Sequence, residues 1–345
     1  MFRRVLVANR GEIAVRVMRT LRAMGIESVA VASTADRSAP HALAADRCVE
    51  IGPPPAAESY LRIEAILDAA RKTGAEAIHP GYGFLSENAA FAEACEQAGI
   101  VFIGPSAEAM RLMGSKTASR DAMIAAGVPV VPGYQGSGGD ADLTREAAGL
   151  GWPIVVKASA GGGGRGIRRV ERPDDLAAAV EMASGEAARA FGDGRVFLER
   201  CVVDARHIEV QLVVDSAGTA HAIGFRDCTL QRRNQKIIEE APGLALPERI
   251  ERTLLRGTER MAEAVGYRGV GTAEFLYRSS DGLVSFLEVN SRLQVEHTVT
   301  EEVTGTDLVR AQILIADGQE WEPPSQSQGW AIQAPRSRGR GMRCF

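Results

Sequence analysis

VLVANRGEIAVRVMRTLRAMG, residues 5–25, decides how the first third of this chain folds. Val5-Leu6-Val7-Ala8 is a short unbroken apolar run, the pattern of a strand buried on both faces. Beyond Asn9-Arg10-Gly11, the apolar residues Ile13, Val17, Leu21 and Met24 recur at near-helical spacing and stop at Gly25, a residue suited to the left-handed turn that closes a helix. The same strand-turn-helix unit then repeats. Ser28 to Ala32 reads as a strand. Tyr60 to Thr73 reads as a helix with Ile63, Ile66, Leu67 and Ala70 on one face, ended by Gly74. Ala77-Ile78 is a strand, Asn88 to Ala98 a helix ended by Gly99, and Val101-Phe102-Ile103 another strand. Short apolar strands alternating with glycine-ended helices predict a parallel, doubly wound sheet.

Around Pro129 to Gly139 (PVVPGYQGSGG) the composition shifts to Gly, Pro and Ser, which marks a hinge or domain boundary. The second half of the chain is of a different kind. A strand at Ile154-Val155-Val156 runs into a glycine series, and strands are expected at 196–199, 207–214 and 219–225. A helix is expected over 247–265, a hairpin from 272–277 and 283–289 around Ser279-Ser280-Asp281-Gly282, and a last helix over 307–316. This half reads as α+β with mainly antiparallel strands. From Glu322 onward periodicity disappears and Arg336, Arg338, Arg340 and Arg343 crowd the end, either as a basic arm for an anionic partner or as a solvated terminus.

At 345 residues, with 45% hydrophobic and 24% charged residues, the chain is long enough for about two domains and an ordinary hydrophobic core. A formal net charge of −4 provides no general attraction to nucleic acid or to anionic membranes, so neither is expected as a partner. Cys48, Cys95, Cys201, Cys228 and Cys344 are scattered without a CxxC pair, which argues against a zinc site or a disulfide framework. There is no secretory-type apolar run after Met1 and none long enough to span a membrane, so a cytoplasmic protein is expected.

Three stretches carry chemistry. In Lys157-Ala158-Ser159-Ala160-Gly161-Gly162-Gly163-Gly164-Arg165-Gly166 the glycines free backbone N–H groups to turn toward an anion, and the lysine supplies a point charge for phosphate. It is not a Walker A loop, because no Gly-Lys-Ser/Thr follows; a flexible linker is the alternative. Glu274 and Glu288 would face one another across the predicted hairpin, where opposed like charges destabilise a sheet unless a divalent cation lies between them. Alternation then places Asn290, Arg292, Gln294 and Glu296 on the same side for as long as the chain stays extended, with Leu287, Val289, Leu293 and Val295 buried on the other. This is the floor of a cleft or a strand face open to water. His207, Glu209 and Gln211 share one face of a further strand, which a half-exposed strand explains equally well. QRRNQKIIEE (231–240) sets cations before carboxylates and is also compatible with an exposed charged loop.

Together these stretches resemble the biotin carboxylase family, the biotin-carboxylating components of acetyl-, propionyl- and methylcrotonyl-CoA carboxylases and of pyruvate carboxylase. The resemblance rests on VLVANRGEIAVRVMRTLRAMG (5–25), AIHPGYGFLSENA (77–89), GSKTASR (114–120), KASAGGGGRGI (157–167), RHIEVQ (206–211), QRRNQKIIEEAP (231–242) and FLEVNSRLQVEHTVTEEVTGTDLV (286–309), in the family's order and spacing to about Gln319. It implies an N-terminal doubly wound α/β domain (1–114) and an α+β ATP-grasp domain (115–320) with a glycine-rich lid at about 131–203. An irregular tail (321–345) stands where the family continues into a further lobe.

The resemblance also implies roles. Lys116, Lys157 and the lid glycines Gly162, Gly163, Gly164 and Gly166 would hold ATP phosphates. Glu199, Arg200, Cys201, Val202 and Leu276 would bind adenine and its sugar, and His207 and Gln231 also match ATP-site positions. Asn234 stands where many members have His. Glu274, Glu288 and Asn290 would ligate Mg²⁺ (or Mn²⁺), the two glutamates also counting toward the ATP site. Lys236, Arg292, Gln294 and Val295 would form the bicarbonate pocket, and Glu296 the general base, with Lys236 and Arg292 as its catalytic companions. The implied reaction is ATP-dependent carboxylation of biotin through carboxyphosphate. Partners would be a separate biotin carboxyl carrier domain, a carboxyltransferase subunit and, for the family's usual dimer, a second copy.

The resemblance fails after Ala334: Pro335 stands where the family has an arginine that steadies the biotin enolate, and Arg336 comes one residue late. Such a switch implies a truncated or frameshifted frame, so an MgATP-binding fragment that has lost biotin carboxylation is the second reading. A third, an amine-using ATP-grasp ligase of the carbamoyl-phosphate or purine type, is disfavoured by VNSRLQVEH (289–297).

Overall fold

The structure, a computed structural model, describes residues 1–134, 140–159, 167–232, 235–243 and 245–334. The expected strands and helices are present as β1 (Arg4–Val7), α1 (Gly11–Ala23), β2 (Glu27–Ser33), α3 (Ile63–Thr73), β4 (Ala77–His79), α4 (Ala89–Gln97) and β5 (Val101–Phe102). The structure adds two elements that the periodicity does not announce, the short α2 (Pro40–Ala44) and the edge strand β3 (Arg47–Gly52). The strands form one parallel sheet in the order β3-β2-β1-β4-β5, which is doubly wound, with β1 between β2 and β4. Leu6, Val29 and Ile78 point into a core under α3 and α4, while Val5, Val7 and Ala30 point into a core under α1. Gly74 closes α3 with φ +67°, a left-handed turn that glycine enters without steric strain.

Two helices, α5 (Ala107–Gly114) and α6 (Lys116–Ala125), lead out of this sheet, each capped by a serine, Ser106 and Ser115. A second sheet follows, in the order β6-β9-β7-β8, from β6 (Gly133–Tyr134), β7 (Ile154–Ala158), β8 (Ile167–Val170) and β9 (Val196–Arg200), with α7 (Asp140–Leu150) and α8 (Leu176–Phe191) against it. The described part of the expected hinge is tied down. Pro129 accepts a 2.6 Å bond from the Phe286 amide, and Gly133 pairs with Glu199, where a Cβ would stand 2.6 Å from the Leu198 carbonyl oxygen. Only glycine permits that approach.

The third sheet carries the site. It runs β16-β15-β10-β11-β14-β17, from β10 (Arg206–Val214), β11 (Ala220–Asp227), β14 (Glu239–Ala241), β15 (Gly269–Arg278), β16 (Leu283–Asn290) and β17 (Ala331–Gln333). A two-strand hairpin, β12 (Gln231–Arg232) with β13 (Gln235–Lys236), stands between β11 and β14 in the chain. Helix α9 (Glu248–Ala264) covers the apolar face through Ile250, Leu254 and Met261, packed on Val210, Leu212, Phe275 and Phe286. Helices α10 (His297–Thr304) and α11 (Leu308–Ala316) return to α1, where Arg16 reaches Glu301 at 2.7 Å and Asp307 at 2.9 Å.

β17 departs from the expectation of an irregular tail. Ala331, Ile332 and Gln333 pair antiparallel with Ala241, Glu240 and Glu239, so three residues with no readable alternation become an edge strand through a partner far away in sequence. Residues 335–345, with Pro335 and the arginine-rich end, lie outside the described residues. Among the described residues no helix is long and apolar enough to cross a membrane.

Candidate active site

Antiparallel register makes the site. Glu209 of β10 lies opposite Glu274 of β15, and Glu274 lies opposite Glu288 of β16, so three carboxylate-bearing positions form a row across adjacent strands. The expected Glu274–Glu288 pairing is present, with a bulge directly after Glu274. Such a row would be destabilising alone. The β12–β13 hairpin answers it: the Lys236 ammonium contacts Glu209, Glu274 (3.1 Å) and Glu296 at once. QRRNQKIIEE is therefore not a free charged loop, because its lysine is drawn into the sheet by three carboxylates. Burial pulls the Lys236 pKa down, but Glu209, Glu274 and Glu296 outweigh it and hold the ammonium charged. Glu296 is in turn kept below the usual carboxylate range: burial pushes it up, and Lys236 and Arg226 more than offset that.

Glu274 is the hub. Its Oε1 accepts from Asn290 Nδ2 at 2.7 Å and from Gln294 Nε2 at 3.0 Å, while His207 Nε2 lies 2.9 Å from Oε2. Burial raises Glu274, but Lys236 and His207 overcome it and leave the carboxylate ionised. Glu288 has the opposite balance, raised by burial and by the Glu274 charge. Glu274 and Glu288 offer carboxylate oxygens from two paired strands, a pair in electrostatic conflict that fits Mg²⁺ or Mn²⁺; Asn290 is adjacent, with its Nδ2 on Glu274 and its Oδ1 on Arg292.

The strand does not continue to Glu296, as simple alternation expects. β16 ends at Asn290, residues 291–296 turn, and Glu296 becomes the N-cap residue of α10. The turn still buries Gln294 (3% exposed) and Glu296 (5%), but leaves Val295 at 43%, so Val295 lines the open side rather than a core. Arg292 Nε lies 3.0 Å from Glu87 Oε2 and its Nη2 donates to Asn290 Oδ1 at 2.9 Å. The β10 face of His207, Glu209 and Gln211 is no water-facing strand: Glu209 is 0% and Gln211 1% exposed. The reason is a group that sequence reasoning missed, Arg226 of β11, directly across from Glu209.

Lys116 and Lys157 come together from separate elements. Lys116 opens α6, and burial lowers its pKa while the Glu288 charge works against that; Lys157, on β7, pairs with Glu199 on the neighbouring β9. At the end of β9 the Arg200 amide donates to Pro132 O at 2.8 Å and the Cys201 amide to Pro153 O at 2.9 Å, with Val202 half-buried beyond. Leu276 is paired with His207 across β15–β10, and Gln231 Nε2 lies 3.1 Å from His207 Nδ1, which brings those three together. Gly162, Gly163, Gly164, Gly166 and Asn234 lie outside the described residues.

Besides Arg226, sequence reasoning passed over Glu87, which holds both Arg292 and the Ser291 amide, and Glu239, which burial and then Glu296 push up to about 7. Glu87 lies within AIHPGYGFLSENA (77–89), so a charge beside a glycine-rich turn was its available signal. Arg226 had none that a single strand could give, because its meaning depends on register with β10.

Comparison with known proteins agrees across nearly the whole chain. The family model described as "Biotin carboxylase, N-terminal domain" matches residues 1–110, and that described as "Carbamoyl-phosphate synthase L chain, ATP binding domain" matches 115–323. Biotin carboxylase 1 of Bacillus subtilis is 46% identical over 340 residues, covering 96% of this chain and 75% of the relative. The methylcrotonoyl-CoA carboxylase subunit alpha of Oryza sativa is 52% identical over 326 residues, 94% of this chain but 44% of the relative. The chain thus spans under half of that relative and about three quarters of the other. Among solved structures, a biotin carboxylase–β-γ-ATP complex from Campylobacter jejuni superposes with TM-score 0.94 at 44% identity, covering 97% of this chain and 75% of that one. The biotin carboxylase domain dimer of Hydrogenobacter thermophilus 2-oxoglutarate carboxylase, with MgADP, ADP and bicarbonate, superposes with TM-score 0.92 at 44% identity over 97% and 74%.

Proposed function

This chain belongs to the biotin carboxylase family, and from that premise we propose that it carboxylates biotin on a carrier domain, using ATP and bicarbonate, within an acyl-CoA carboxylase. The observation that carries the reading is the convergence of Lys236 and Gln294 on Glu274, with Lys236 also on Glu209 and Glu296 and with Arg292 alongside on Asn290, which gathers donors for an anion with a base beside them. Glu296 is ionised at neutral pH and is the group to take the bicarbonate proton as its oxygen attacks the γ-phosphate. Lys236 shares its charge among three carboxylates, so an entering anion finds an ammonium already aimed and desolvated. Arg292, steadied by Glu87 and Asn290, supplies a second cation to the same pocket.

Lys116 and Lys157 would meet the ATP phosphates; Lys157 is paired with Glu199. Adenine and its sugar would lie along Glu199, Arg200, Cys201 and Val202, with Leu276, His207 and Gln231 opposite. Mg²⁺ held by Glu274, Glu288 and Asn290 would offset charge on the phosphate oxygens. Carboxyphosphate would then yield CO₂ and phosphate, and the phosphate can deprotonate the biotin ureido nitrogen that attacks CO₂. The partners proposed are a biotin carboxyl carrier domain, a carboxyltransferase subunit and a second copy of this chain. The scattered free thiols suit a reducing compartment such as the cytoplasm.

The test is ATP hydrolysis by the purified chain with and without bicarbonate and free biotin, alongside Glu296→Ala. Turnover that requires bicarbonate and biotin and is lost in the variant is the expected result. MgATP binding with no stimulation by either would reduce the chain to a nucleotide-binding fragment and overturn the proposal.

A further inference from the structure

Arg226 is the largest fully buried side chain among the described residues, at 0% exposure. A guanidinium has five N–H donors and no acceptor, and here all five are matched. Nε donates to Glu209 Oε2 at 2.9 Å, Nη1 to Gln211 Oε1 at 2.7 Å and Thr300 Oγ1 at 2.8 Å, and Nη2 to Thr272 Oγ1 at 3.0 Å and Gln294 Oε1 at 2.6 Å. The partners come from β10, β15, α10 and the turn after β16. One residue therefore ties the turn that carries Gln294 and Glu296 to the sheet that carries the carboxylates.

We propose that Arg226 is a positioning residue that fixes the amide of Gln294 with its N–H₂ toward the anion pocket. Arg226 can only donate, so Gln294 must show it an oxygen. That leaves Nε2 facing Glu274 Oε1 at 3.0 Å, the oxygen that Lys236 also approaches at 3.1 Å. The flipped amide would set N–H₂ against a guanidinium and a carbonyl oxygen against a carboxylate, two repulsions in place of two bonds. An anionic one-carbon substrate beside Lys236 then meets a donor. Without the lock, only Glu274 would oppose the flipped orientation, which presents an acceptor that repels the anion. The inference rests on the bicarbonate reading proposed for this site and assigns to Arg226 a role exercised through Gln294 alone, without substrate contact.

The experiment measures two affinities of the full chain: MgADP by calorimetry, and ¹³C-bicarbonate by NMR line broadening with MgADP present. Four variants are compared: Arg226→Lys, Gln294→Glu, Thr272→Val and Thr300→Val. Arg226→Lys keeps the charge beside Glu209 but has three donors in place of five, and should weaken bicarbonate about tenfold, the scale of one charge-assisted hydrogen bond, while MgADP stays within about twofold. Gln294→Glu keeps an oxygen for Arg226, and so the fold, but removes the donor; its loss of bicarbonate should be at least as large. The two threonine variants remove other arms of the fork and should leave bicarbonate within about twofold. Equal bicarbonate affinity in Gln294→Glu and the parent would overturn the proposal, as would an equal loss of both ligands in Arg226→Lys or a tenfold loss in the threonine variants. A parent chain that binds MgADP but no bicarbonate would instead overturn the functional reading, and this inference with it.

Discussion

The parallel N-terminal sheet and the polar face of the antiparallel β16–β17 sheet are buried to the same depth with opposite chemistry. Leu6, Val29 and Ile78 in the first are 0% exposed and wholly apolar. In the second, Glu209 and Arg226 are also 0% exposed, Gln211 is 1% and Glu274 4%, and Glu296, on the turn beside the sheet, is 5%. Burial alone therefore says little about what a sheet is for. Apolar burial stabilises the fold by roughly 25 cal/mol per Å², whereas each buried charge costs several kcal/mol before its partners offset it. The first sheet is built for stability. The second holds Glu209, Glu274 and Glu296 against Lys236 and Arg226, a carboxylate excess that leaves the site poised to gain from a bound cation.

The contrast is broken most directly at Glu296. Glu296→Gln should lower bicarbonate-dependent ATP turnover by about 10²–10⁴-fold, the usual worth of a general base, while the melting temperature falls only slightly: the charge that Lys236 and Arg226 favour is lost, but Lys236 keeps Glu209 and Glu274 as partners. Paired turnover assays and calorimetry check this. A melting temperature lowered as far as by a core truncation would show that Glu296 is part of the framework.

Ile78→Ala is the mirror experiment. It empties a fully buried position between α3 and α4 and should cost about 2–5 kcal/mol in denaturant unfolding, with turnover per folded molecule unchanged. A loss of specific activity without loss of stability would erase the distinction between the two sheets.

How much of the molecule is legible in its sequence follows the same division. Four of the five strands of the parallel sheet can be read from the sequence, because β1, β2, β4 and β5 are short apolar runs and α1, α3 and α4 carry an apolar period with a glycine close behind. The edge strand β3, largely exposed and reached through the five-residue α2, has no such signature. The Glu274–Glu288 opposition is legible too, since a short hairpin fixes register locally. Helices α5 to α8 are not read from the sequence, and three further features escape for a physical reason. Val295 turns outward because β16 stops at Asn290, and a turn follows no period. β17 has no pattern of its own and exists through pairing with β14. Arg226 looks like a surface arginine until β11 is laid against β10 in register, and Glu209 with Gln211 looks solvent-facing for the same reason. Contacts that depend on distant strand pairing are invisible to local periodicity, and the polar half of the site is made of them.

The seam between the two regions should respond to acid. His79 of β4 accepts from the Gly81 amide at Nδ1 and lies 3.2 Å from Gln312 Oε1 at Nε2, so the neutral ring uses both nitrogens; burial lowers its pKa to about 4. His297 is likewise lowered to about 4, chiefly by burial. Each ring takes up a proton more readily unfolded, near the ordinary value of 6.5, than folded. Stability from this source is whole above about pH 6.5 and is lost as pH falls toward about 4, by roughly 3 kcal/mol per ring at most. Unfolding measured across that window should show a shallower fall for His79→Gln than for the parent. Parallel slopes would remove His79 from the seam.

The smallest expected effect tests the carboxylate excess itself. Glu288 is raised by burial and by the neighbouring Glu274, so a dication at the β15–β16 pair relieves a repulsion that the two carboxylates otherwise bear. Mg²⁺ at about a hundred times its dissociation constant should stabilise the chain by about 2.7 kcal/mol through mass action. Glu288→Gln should abolish that response and, with the repulsion gone, leave the metal-free protein at least as stable as its parent. The two halves of the outcome separate the causes. A variant that loses the Mg²⁺ response but is less stable without metal would mean that the Glu288 carboxylate is held by contacts of its own. The antiparallel sheet would then resemble the parallel one in committing its buried groups to the fold.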